Sequence, residues 1–216
     1  MKIHKIFGYV MASVAVTCGV ALMLSAVGAQ ARPLAPRPAL ASRSWQLHFS
    51  FSKPQRLRVV AGHGHQAHVV TCYYLRYTVV NNTGKDIFFV PRFDMVTDTG
   101  RIIPAKVDIT GKLFGAIRHR TGDAFLINPM LVAGRLLQGK DYAKDSVAVF
   151  MGLTNKDRGF KIFVSGLSGE TAVQADPVTG KPVVLHKTLL LHYSVPGEAI
   201  NMKPHPILLS KTWVMR

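Results

Sequence analysis

Cysteine is nearly missing: two residues in 216, Cys18 and Cys72, which excludes a disulfide-dense scaffold and a four-cysteine zinc site. Acidic residues are scarce, 11 Asp+Glu against 27 Lys+Arg for a formal charge of +16, and charged residues of both signs reach only 18%. With 48% of residues hydrophobic, so low a charge content excludes an intrinsically disordered tail. The 18 glycines and 12 prolines follow no G-X-Y period, which excludes collagen. No repeat of about 20–50 residues is present, which excludes solenoids and propellers. The length allows one domain, or two at most.

No charged residue occurs from Ile6 to Ala29. Lys2 and Lys5 precede this run, and Ala29-Gln30-Ala31 forms an A-x-A cleavage site directly before Arg32. The pattern predicts a secretory signal peptide over 1–31. The 24 uncharged residues also exceed the about 7–15 of an ordinary signal core and reach the about 20 that span a bilayer, so an uncleaved N-terminal anchor is the alternative. Either way residues 32–216 are expected outside the cytoplasm, in the periplasm, in the cell envelope or secreted. Cys18 sits mid-run behind Thr17, which argues against lipoprotein processing. Cleavage would leave 216 − 31 = 185 residues at 16 − 2 = +14, with Cys72 alone. Such a chain must rest on its core rather than on a disulfide.

Residues 32–44 open with Arg32-Pro33-Leu34-Ala35-Pro36-Arg37-Pro38, a Pro-rich stretch without hydrophobic period that predicts an extended linker. From Trp45 the pattern turns to strands. Trp45 to Phe51 alternates apolar and polar residues at period two, and Tyr73 to Val80 is aromatic and β-branched before the turn Asn81-Asn82-Thr83-Gly84-Lys85-Asp86. Further strands are expected at Ile87–Val90, Arg101–Ile103, Ser146–Met151, Phe160–Ser165, Thr188–Ser194 and Ile207–Met215. Between Thr110 and Leu137, apolar residues at three- and four-residue spacing predict one or two short helices, capped by Thr110 or Asp108. The sum is a mainly β domain over 45–216: an immunoglobulin-like antiparallel β-sandwich of 7–9 strands with a short helical insertion between sheets.

The run Tyr74 to Asp86, followed by Phe93-Asp94-Met95-Val96-Thr97-Asp98-Thr99-Gly100 and by Leu137-Gln138-Gly139-Lys140-Asp141 ahead of Val147-Ala148-Val149-Phe150, resembles immunoglobulin-like domains of unknown function in bacterial secreted and membrane-anchored proteins. The resemblance spans about Trp45 to Arg216. It implies the sandwich and an extracytoplasmic address, and it brings no catalytic residue.

Three chemistries are open to the residues themselves. His63, His65 and His68, four residues before Cys72, would supply imidazoles and a thiolate to zinc or copper; in the bland alternative they form a polar loop beside a buried cysteine. Gly166-Leu167-Ser168-Gly169-Glu170 falls short of a nucleophile elbow because Glu170 stands where the last glycine belongs, and it reads as a hairpin loop. Asp94, Asp98, Asp123, Asp141 and Asp145 read as turn residues rather than acid–base pairs. A deep polar pocket lined by Asp94, His119 and Asp123 would point to an enzyme instead.

Charge placement carries the functional expectation. Eight Lys/Arg and no acid lie between Arg32 and Lys85, and all eleven acids follow. Arg56, Arg58, Arg76 and Lys85 are therefore the expected contacts for an anionic envelope component or an acidic partner protein. Nucleic acid is excluded by the export signal and by the lack of a recognition motif, and membrane contact is expected only through the N-terminal segment. The sequence thus points to an exported, non-enzymatic module of the cell envelope without a cofactor, with a metal-binding protein and an uncharacterised enzyme as alternatives.

Overall fold

The longest strand organises the molecule. In the computed structural model, which describes residues 35–39, 44–61, 65, 67–197 and 205–216, β3 (His68–Asn81) runs for 14 residues through the centre of the first sheet. Its odd and even positions carry apolar side chains on both faces, so both faces can be buried. One edge of β3 pairs with two short strands in line, β1 (His48–Phe51) and β2 (Gln55–Ala61). Pro54 separates them, having no N–H to offer a ladder; Ser52 N–H still reaches Arg76 O at 2.9 Å.

The turn after β3 carries the chain out of the first sheet to β4 (Ile87–Phe89) and β5 (Arg92–Thr97), and Asp98-Thr99-Gly100 turns into β6 (Ile102–Pro104). Helix α1 (Gly111–Thr121) starts at Thr110, whose hydroxyl accepts from Leu113 N–H at 3.3 Å, and it stops at Gly122 in the left-handed region. A 3-10 turn at Pro129–Leu131 precedes β7 (Gly134–Leu136), β8 (Gly139–Met151), β9 (Gly159–Ser165), β10 (Thr171–Ala175), β11 (Pro182–Ser194) and β12 (Ile207–Met215).

All strand pairings between these elements are antiparallel. β8 takes the other edge of β3 (Tyr74 opposite Val149), completing the first sheet. The second sheet runs β6-β5-β9-β11-β12, with β10 also on β11, and β4 pairs with β7 in a separate two-stranded ladder. Phe49, Tyr73, Leu75, Tyr77, Val79, Ala148 and Phe150 of the first sheet share one buried cluster with Phe93, Met95, Phe160, Ile162, Val164, Leu189, Leu191 and Tyr193 of the second. The alternate positions Cys72, Tyr74, Val147 and Val149 form a second cluster with Leu113 and Ile117 of α1. The helix therefore covers the back of the first sheet, while the chain passes through it on the way from β6 to β8.

Twelve strands are present among the described residues, against the seven to nine expected. The additions are β2, β5, β7 and β10, all of them short or mixed in polarity. Gly166 to Glu170 is not a hairpin loop: β9 and β10 both pair with β11 along the same edge, and the loop steps from one to the other. Ala39, inside the expected linker, donates its N–H to Glu170 Oε1 at 2.8 Å. Residues 1–34, to which the expected leader belongs, and 40–43 lie outside the described residues. No helix among the described residues is long and apolar enough to cross a membrane.

Candidate functional site

β5 alternates Arg92, Phe93, Asp94 and Met95. Phe93 and Met95 enter the shared core, so Arg92 and Asp94 must project from the opposite, outer face of the second sheet. β9 places Ser165 opposite Arg92 and Phe163 opposite Asp94. Thr188 stands on β11, where its hydroxyl lies 3.4 Å from that of Ser165. His186 and Arg216 exchange backbone hydrogen bonds at 2.8 and 3.1 Å, which brings the Arg216 side chain over the same face.

The result is a charged floor and rim. Asp94 is only 4% exposed, yet two guanidiniums hold it: Arg92 Nε at 3.2 Å and Arg216 Nη1 at 3.4 Å from Oδ2. Arg216 also stacks on Phe163, 4.3 Å from the ring centre. The side chains of Arg92 and Arg216 remain 75% and 39% exposed. Each guanidinium has five donors, so one carboxylate leaves most of them for a ligand. A pocket of about 590 Å³ opens above this floor, walled by Trp45, Phe88, Val90, Ser165, Thr188 and His186. Gly166 forms part of the wall at φ 85°, and a Cβ there would lie 2.3 Å from Val90 O.

Two guanidiniums around one carboxylate give a net positive recess that suits a carboxylate, phosphate or sulfate. No hydrogen bond among the described residues joins the His186 imidazole to Ser165, Ser168 or Thr188. Ser168 is spent on the backbone: its hydroxyl donates to Trp45 O at 3.1 Å and accepts from Glu170 N–H at 3.2 Å. The turn role expected for Asp94 does not hold, because Asp94 stands mid-strand and buried. Asp123 does take a turn role, accepting from Phe125 N–H at 2.9 Å. Asp94, His119 and Asp123 do not meet: Asp94 lies on the outer face of the second sheet, whereas Asp123 pairs with Arg76 on the helix-covered side of the first.

The expected contact residues disperse. Arg76 is bound by Asp123 at 2.6 Å and lies 3.8 Å from Asp145. Arg58 pairs with Thr71 and Arg56 with Tyr73, while Lys85 follows Asn81 at the far end of the same strand. At about 3.3 Å per residue, roughly 30 Å separates Arg58 from Lys85. Basic residues on β2, on β3 and in the turn after β3 therefore make three separate places.

The metal set does not close either. His68 and Cys72 are four residues apart on β3, about 13 Å, whereas ligands of one ion must all lie within about 2.3 Å of it. Cys72 is fully buried beneath α1, and burial pushes its thiol up to about 11, against the thiolate a metal needs. His65 and His68 are exposed, His63 lies outside the described residues, and no group of three or more His, Cys, Asp or Glu among the described residues could hold a metal ion. No protein-family model, no curated protein and no solved structure matches this chain.

Proposed function

We propose that this chain is an exported, non-enzymatic immunoglobulin-like module of the cell envelope that binds an anionic envelope component in the recess of Arg92, Asp94 and Arg216. The fold part of this reading is supported by the pairing order. β1-β3-β8 on one side and β5-β9-β11 on the other follow the A-B-E and C-F-G neighbours of an immunoglobulin-like sandwich, with β12 added beyond the last. The extracytoplasmic address rests on the uncharged run Ile6–Ala29 and its A-x-A site.

One observation carries the binding part: a nearly buried carboxylate holds one largely exposed and one partly exposed guanidinium in place without exhausting their donors. Elsewhere Asp86, Asp123, Asp145, Asp157 and Glu170 are likewise spent in ion pairs inside the fold, which leaves the cationic excess facing outward. Titration of the full chain with a glucuronate oligosaccharide and with inorganic phosphate tests the reading. Arg92→Glu is expected to weaken binding about tenfold or more, and ~1 M salt to weaken it further in the parent protein. Binding that is indifferent to both would refute it.

A further inference from the structure

The loop between α1 and β7 exposes three large apolar side chains: Phe125 is 88% exposed, Leu131 71% and Met130 57%. Slack does not explain this, because the loop is pinned along its length. Asp123 takes the Arg76 guanidinium at 2.6 Å, Ile127 N–H donates to Asp145 O at 2.8 Å, Ser146 Oγ donates to Ile127 O at 2.8 Å, and Lys144 Nζ donates to Val132 O at 2.8 Å. Leu126, Pro129 and Val132, the neighbours of the exposed residues, are buried. The fold thus turns half of the loop's apolar residues inward and holds the other half out in water, where each forgoes the gain of burial.

What surrounds these tips identifies the phase that would cover them. The last turn of α1 carries Arg118, His119 and Arg120, all exposed, and no acid occurs from Lys112 to Gly122. Asp123, the first acid after them, is already held by Arg76. Protruding apolar tips beside cations fit the boundary between acyl chains and anionic headgroups. Under the envelope address proposed above, which rests on the uncharged run Ile6–Ala29, a bilayer is the apolar phase at hand.

We propose that Phe125, Met130 and Leu131 insert into the surface of an anionic bilayer, with Arg118 and Arg120 on its headgroups. This adds a membrane contact beyond the N-terminal segment. It rests on the envelope address proposed above but not on the Arg92 recess, which is built from other residues on the outer face of the second sheet.

The test uses the protein as isolated from its envelope, with Phe125→Trp as a local reporter and the parent spectrum of Trp45 and Trp213 as reference. On phosphatidylcholine vesicles containing phosphatidylglycerol, the new emission is expected to shift to the blue and to be quenched by bromolipids. Phe125→Ser/Met130→Ser/Leu131→Ser is expected to lower vesicle affinity about tenfold or more, and Arg118→Glu/Arg120→Glu to remove the preference for the anionic vesicles. An unshifted, unquenched reporter together with a triple variant that binds like the parent overturns the inference, whatever the arginine variant does. Loss in the arginine variant alone would then mean surface attraction without insertion. Glucuronate binding at Arg92, measured separately, shows whether the recess reading stands or falls on its own.

Discussion

Asp157 shows how single residues hold the loops of this fold. Its carboxylate has no solvent contact and receives Thr154 N–H at 2.7 Å, the Thr154 and Thr99 hydroxyls at 2.9 and 2.7 Å, and the Arg101 guanidinium. Burial alone would raise the carboxyl, but these donors outweigh it and hold it below the usual carboxylate range. A group depressed in the folded state stabilises above its unfolded pKa and loses that contribution as pH falls through the folded value. Asp157→Asn is therefore expected to cost about 2–4 kcal/mol at pH 7 by urea unfolding. That gap should narrow as pH drops below about 4, and a gap constant with pH would contradict the assignment. Gly166 gives a steric counterpart. Alanine there meets Val90 O as well as positive φ, whereas Gly84 at φ 86° has open space around it. Gly84→Ala should cost about 1 kcal/mol and Gly166→Ala clearly more, with distortion of the recess beside it.

At the scale of elements, the sequence announces a segment when its apolar pattern is pure. β3 is aromatic and β-branched, β11 carries the apolar run Leu189-Leu190-Leu191, and α1 has Thr110 to begin it and Gly122 to end it. β2 stayed hidden because Arg56 and Arg58 alternate with Leu57 and Val59, so its period-two pattern reads as a charge cluster. β5 stayed hidden behind Arg92 and Asp94, the two residues that later prove to be the floor and rim of the recess. α1 is tied down by Leu113 and Ile117 against Tyr74 and Val149. Ile117→Ala is expected to cost about 2–4 kcal/mol and Thr110→Ala about 1 kcal/mol, measured by thermal or urea unfolding. If the two variants cost the same, helix capping rather than packing on the first sheet would be what retains α1.

Over the whole molecule, charge position in the sequence proved a poor guide to charge position in space. Arg56, Arg58, Arg76 and Lys85 are close in sequence, yet the long central strand spreads them between its ends and its faces. Arg92 and Arg216 are 216 − 92 = 124 residues apart in the sequence, and only the ladder β5-β9-β11-β12 brings them to one carboxylate. No local pattern could announce that meeting, because it depends on strand order.

The anionic partner proposed above is assigned to this meeting point. Mapping backbone amide shifts in the folded chain while glucuronate is added tests it directly. Saturable shifts are expected at Arg92, Asp94, Ser165, His186 and Thr188, and their loss in Arg92→Glu. Shifts confined to Arg56, Arg58 and Lys85, or spread evenly over the basic surface, would contradict it.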